Sequence, residues 1–254
     1  MNVISAIYRR ELRAYFATPV AYVFIIVFLM LTGFCCFSLQ PGFVAGFYLG
    51  GFFERGRADM QSFFSGMPLL FVVLVPAISM RLWSEERRSG TIEQLMTLPV
   101  SMGQAVLGKF LAAWTFTAIA LACTLPAWIT VNYLGDPDNG VIVSSYLGSL
   151  LMAGAFLALG SALSALTNNQ VIAFVIAVVA CLAVTLSATR DGVELLSVVL
   201  PQGAVDVVVY LSFKTHFDAV VRGVIDLRDV LFFLSVIALG LFANAVIIER
   251  TKAN

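Results

Sequence analysis

The segment 103–109 (GQAVLGK) matches the first seven positions of a phosphate-cradling loop, in which glycines let backbone amides close on a nucleotide and a lysine reaches its phosphates. The eighth position is Phe110, where the chemistry needs a Ser or Thr hydroxyl on magnesium. No strand-like segment precedes the run and a long apolar stretch follows it, so the expectation is a helix entering a bilayer with Lys109 snorkelling at the surface. No nucleotide site is expected. His216 is the only histidine, is expected in an outer surface segment, and has no cysteine pair or second histidine near it for a metal. The Gly-x-Ser-x-Gly elbow of a serine hydrolase is missing. Cys35, Cys36, Cys123 and Cys181 all fall in apolar runs, where a thiol acts as a small hydrophobe. These residues predict neither catalysis nor a metal centre.

The elements that would carry them are membrane helices. The 254 residues are 60% hydrophobic and 12% charged, about half the charge of a soluble domain, and the mean hydropathy is +0.96. Fifteen basic and fifteen acidic side chains balance, so no basic surface for nucleic acid is indicated. A hydrocarbon core about 30 Å thick takes roughly 20 apolar helical residues. Six runs meet that need, at 20–37, 63–80, 110–131, 146–166, 171–188 and 230–248, and none contains Asp, Glu, Lys, Arg or His. Backbone groups in lipid must bond within the segment, so each run is expected to be helical. The sequence predicts an all-α polytopic membrane protein built as one domain.

Basic residues set the orientation. With the N-terminus inside, the inner segments hold nine Lys and Arg against five acids, leaving six and ten for the outer ones. Both termini are therefore expected in the cytoplasm. The segment 190–229 holds two apolar stretches too short to cross separately, at 195–200 and 205–213, with Pro201, Gln202, Gly203 and Asp206 around their join. A hairpin dipping part way in from the outside suits it. The stretch 217–225 places Phe217, Val220, Val221, Val224 and Ile225 on one stripe, with Asp218 and Arg222 opposite, and is expected to lie flat on the outer surface. Spans without charge speak against ion-coupled transport. In the fourth run, Gly154 to Ala158 and Gly160 to Ser164 are spaced for close helix packing.

Two cytoplasmic segments carry information. Residues 2–17 have helical periodicity, with Ile4, Ile7, Tyr8, Leu12, Tyr15 and Phe16 on one face and Arg9, Arg10 and Arg13 on the other. Glu11 breaks the apolar stripe, and an arginine at the inner end of the bundle is expected to pair with it, Arg81 first. The inner loop 81–104 holds two capping boxes, Thr91-x-x-Gln94 and Ser101-x-x-Gln104. A short helix at 92–98, stopped by Pro99, would show Ile92, Leu95, Met96 and Leu98 to a partner groove or to lipid; periodicity alone leaves these two level.

Glu86-x-x-x-Gly90-Thr91-x-x-x-Leu95-x-x-x-Pro99 resembles the hallmark of permease subunits of type-2 ABC exporters. Tyr8-Arg9-Arg10-Glu11-Leu12 with Pro19 is similar to their elbow helix, and 223–230 (GVIDLRDV) is similar to the gliding-motility and copper-maturation subgroup, the gliding-motility branch most of all. The resemblance implies that Glu86, Gly90, Thr91, Ile92, Glu93, Gln94, Leu95, Leu98 and Pro99 form an ATPase-coupling segment, with a minor second contact in the turn 167–170. It implies a non-enzymatic chain in a bacterial inner membrane. Its partners would be two copies of a cytoplasmic ATPase, which hold the ATP and magnesium, and a second permease chain, identical or paralogous. The rival expectation is a stand-alone channel, scaffold or assembly factor.

Overall fold

The computed structural model describes residues 3–37, 42–44, 47–49, 59–91, 101–224 and 226–252. They form α1 (Val3–Ala17), α2 (Pro19–Phe37), a hairpin of β1 (Gly42–Val44) and β2 (Phe47–Leu49), α3 (Gln61–Ser79) and α4 (Arg81–Ser89). After these come α5 (Met102–Ala122), α6 (Leu125–Leu134), α7 (Asn139–Ser164), α8 (Gln170–Leu186), α9 (Arg190–Val199), α10 (Gln202–Tyr210), α11 (Phe213–Val221) and α12 (Leu227–Lys252). Four helical stretches are long and apolar enough to cross a membrane, or six if each of two bent helix pairs counts as one span. The bent pairs are α1 with α2, at 75°, and α8 with α9, at 93°. The protein is an all-α polytopic membrane protein.

The hub is α7, which packs against α3, α4, α5, α8, α11 and α12. Its composition permits this, because small residues let neighbouring backbones come close where apolar burial against lipid gives little drive. Gly154 faces Ile237 and Trp114, Gly160 faces Ser79, and Ala158 meets Gly240 of α12. A Cβ built on Gly240 would lie 2.9 Å from the Ala158 Cβ and 3.0 Å from its carbonyl carbon. The matched pairs Gly154–Ile237, Ala158–Gly240 and Ser161–Asn244 make α7 and α12 parallel. Phe64 against Tyr146 at one end and Trp83 against Ser161 at the other add α3 and α4 in the same direction.

Two expectations change. The run at 110–131 lies within one candidate span, Met102–Leu134, but its helix is not continuous: it breaks at Cys123–Thr124, because Pro126, in the first turn of α6, lacks the N–H that would continue the ladder. The Thr124 hydroxyl bonds the Leu121 carbonyl at 2.6 Å and closes the break. Nor does the stretch 217–225 keep its whole apolar stripe at a surface: Phe217, Val220 and Val221 turn into protein, while Val224 stays exposed. In α11, Phe213, His216, Phe217, Val220 and Val221 are buried, Val220 nesting against Gly148 and Phe213 against Phe156. The missing Cβ at Gly148 makes room for that stripe inside the bundle; Ile225 lies outside the described residues.

Candidate functional site

At the end of the bundle where α1 begins, three elements meet. The apolar face of α1 runs along α5: Ile7 sits where a Cβ on Gly108 would fall 2.8 Å from its Cγ2, and Tyr15 stacks on Phe116 with centroids 5.1 Å apart. The Tyr8 hydroxyl bonds Thr115 Oγ1 at 3.3 Å, and Leu12 packs against the core. Arg9 and Arg13 stay exposed. The start of α5 is fixed locally by Ser101 and Gln104, whose side chains bond each other's backbone N–H groups in the expected capping box.

The third element, α4, is pinned to the end of α7 by one hydroxyl. Ser164 Oγ accepts from the backbone N–H groups of Trp83 and Ser84, at 3.3 and 3.2 Å, and donates to the Met80 carbonyl at 2.9 Å. Trp83 Nε1 donates to Ser161 Oγ, and Arg87 donates to the Ala165 carbonyl. Gly90 then ends α4 with φ at +72°, a left-handed cap that glycine adopts without strain. Thr91 follows, its hydroxyl 2.9 Å from Ser89 Oγ. Of the expected coupling residues, Ile92, Glu93, Gln94, Leu95, Leu98 and Pro99 lie outside the described residues.

Where the three elements meet, two cations and two carboxylates cluster. Lys109 Nζ is 2.7 Å from Glu86 Oε1 and 3.4 Å from Glu11 Oε1, and lies 5.2 Å from the Trp83 ring centroid. Arg10 Nη2 is 2.7 Å from Glu11 Oε1 and 4.0 Å from Glu86 Oε1. Lys109 is 3% exposed, so it does not snorkel into solvent. Glu11 pairs with Lys109 and Arg10 rather than with Arg81, which bonds Glu85 at 3.2 Å one turn along its own helix. The cause is the close approach at Gly108, which sets Glu11 directly over the next residue of α5. Glu86 Oε2 is buried without a hydrogen-bond partner among the described residues.

Burial works hardest against ionisation of Glu11, but the charge of Lys109 and the bond and charge of Arg10 together outweigh it and hold the carboxyl below its ordinary value. A depressed carboxyl contributes stability above its unfolded value and loses it as pH falls through the folded one. Acidification below about pH 4.5 should therefore lower the wild-type melting temperature more steeply than that of Glu11→Gln. Parallel curves in a pH series would remove Glu11 from the cluster's energetics.

A cleft of about 340 Å³ opens beside the cluster, lined by Glu11, Tyr15, Arg81, Glu85, Glu86 and Lys109. A wider, shallower one joins Arg87 and Arg88 to the turn 166–169, where Asn169 caps α8 through the Val171 N–H. In the segment 103–109 the backbone is helical, not looped, and its lysine is committed to two carboxylates. Among the described residues no group of three or more His, Cys, Asp or Glu could hold a metal.

The small residues of the fourth run are buried at helix crossings: Gly154, Ala158 and Gly160 as described, Ser164 as the hydroxyl that pins α4. One pair escaped the sequence reading. His216, expected in a surface segment, is buried with Nδ1 2.6 Å from Asp229 Oδ1. The available signal was Asp229 itself, a carboxylate at the head of an apolar span and so in need of a partner.

No curated protein sequence matches the chain. The family model described as "ABC-2 family transporter protein" matches residues 6–248, from within α1 to within α12. A bundle of apolar helices with α1 bent 75° away from α2 suits a membrane component, and with that match the chain belongs to the ABC-2 transporter family, as a membrane permease of an ABC transporter.

Proposed function

We propose that this permease couples ATP hydrolysis by a separate cytoplasmic ATPase to export, or to force transmission, across a bacterial inner membrane. Two permease chains, alike or different, would stand on two ATPase subunits, with both termini in the cytoplasm, in a permease of the gliding-motility type. The observation that carries the reading is the buried Glu11–Lys109–Glu86 cluster. It ties α1, α4 and α5 together one turn before Gly90 closes α4, just ahead of the proposed coupling segment. A push on that segment would reach α4, and through Glu86 and Lys109 both the elbow helix and the third span. Spans without charge suit an apolar or amphipathic cargo, or force transmission without passage of solute.

The test is co-purification with an ATPase and substrate-stimulated hydrolysis. Leu95→Asp places a carboxylate in the proposed contact and should abolish ATPase binding, since an unpaired desolvated charge costs several kcal/mol. Thr91→Ala should uncouple partially, at about 1 kcal/mol for a lost cap, and Arg88→Gln on the exposed flank should change little. Full ATPase binding by Leu95→Asp would reject the coupling assignment in favour of a helix resting on lipid.

A further inference from the structure

At the end of the bundle opposite the elbow helix, His216 is 4% exposed and stacked on Phe232 with centroids 3.9 Å apart. Its Nε2 lies 2.8 Å from the carbonyl oxygen of Tyr210. That oxygen can only accept, so Nε2 carries a proton. Its Nδ1 lies 2.6 Å from Asp229 Oδ1. A neutral ring protonated at Nε2 would turn a bare nitrogen lone pair towards a carboxylate at hydrogen-bond distance, which repels. The closed geometry therefore needs one further proton between Nδ1 and Oδ1. Imidazolium facing carboxylate and neutral ring facing neutral acid satisfy it equally and hold the same number of protons.

We propose that His216 and Asp229 form a proton-requiring clasp that fastens the hairpin of α10 and α11 to the head of α12. Tyr210 closes α10, His216 sits mid-way along α11 and Asp229 starts the last span, so one ring joins all three elements. Asp229 also lines an apolar cavity of about 280 Å³ with Trp114, Leu147, Gly148 and Val220, and an open clasp frees that cavity's wall. Other described charges leave the proton to this pair. Lys214 and Asp218 bond each other, Asp206, Arg222, Asp226 and Arg228 are exposed, and α3, α7 and α8 bring no charged residue to the packing.

The proton balance fixes the sign. Closing from a neutral ring and an ionised carboxylate takes up one proton from water, so the clasp weakens as pH rises, the closure constant falling about tenfold per pH unit.

The single histidine makes the test clean. The full chain, carried without a histidine tag in lipid nanodiscs and labelled with nitrogen-15 histidine, gives one imidazole signal. At pH 5.5 Nε2 should be an N–H and Nδ1 should share a proton; a bare Nδ1 would overturn the proposal. Hydrogen exchange of residues 210–224, corrected for the intrinsic rate, should lose about a hundredfold of its protection between pH 6.5 and 8.5. In Asp229→Asn the side-chain amide donates to unprotonated Nδ1 while Nε2 keeps Tyr210, so protection should not depend on pH. Constant protection in the wild type, or the same pH dependence in Asp229→Asn, would overturn the clasp.

Discussion

Lys109→Met should lower folded-state stability by about 3–5 kcal/mol, the range for removing one partner of a buried ion pair. The ammonium faces two carboxylates, and Glu86 and Glu11 are only 18% and 17% exposed at the side chain. Arg10 can answer one of them, being 2.7 Å from Glu11 but 4.0 Å from Glu86. Glu86, whose Oε2 is already buried without a described partner, would be left with no cation in hydrogen-bond contact. Adding Glu11→Gln and Glu86→Gln to Lys109→Met should recover most of the loss, because neutral amides tolerate burial far better than carboxylates. Arg81→Met, which breaks only the partly exposed pair with Glu85, should cost no more than about 1 kcal/mol. Unfolding in detergent, followed by tryptophan fluorescence, reads all three. If Lys109→Met and Arg81→Met fell together, the cluster would not be what holds the elbow helix.

Gly240→Leu should separate the last span from α7 at a cost of about 1–3 kcal/mol, the usual range for overpacking. The obstruction is backbone: the Cβ alone would stand 3.0 Å from the Ala158 carbonyl carbon, which no rotamer change can move. The helices must therefore part along their length, and the bond from Asn244 to Ser161, 2.6 Å in the intact bundle, should break with them. Gly33→Leu is the matched control, since a Cβ there meets nothing within 4 Å. The two variants add the same atoms to an apolar helix, so only the crossing differs. Equal melting temperatures would mean that α7 and α12 are not held at this distance.

What could be read from the sequence was what a single segment decides. Each apolar run announces a helix because the bilayer leaves the backbone no other partner, and the face of α1 follows from 3.6-residue spacing. The Ser101–Gln104 box is four residues long and formed as written. What escaped was set between segments. Glu11 was seen to need a cation, but Lys109 stands 98 residues away and was chosen over Arg81 by the close approach at Gly108. The apolar stripe of α11 looks the same whether lipid or protein covers it; Gly148, on another helix, decides. The break inside the third run was written in Pro126 and was outweighed by the length of the apolar stretch around it.

The order of the cluster along the chain has a consequence for biosynthesis. A ribosome releases Glu11 first, Glu86 second and Lys109 last of the three. Until Lys109 emerges, Glu11 has Arg10 at 2.7 Å while Glu86 has that cation no nearer than 4.0 Å, and the tie through Lys109 between α1 and α4 is missing. The elbow helix also has nothing to lie along before α5 exists, because Gly108, Thr115 and Phe116 form its seat. Arrival of the third span thus delivers the seat and the missing cation in one step. A nascent chain halted before residue 109 would lack the cation that Glu86 meets at 2.7 Å and would leave that carboxylate without its pair.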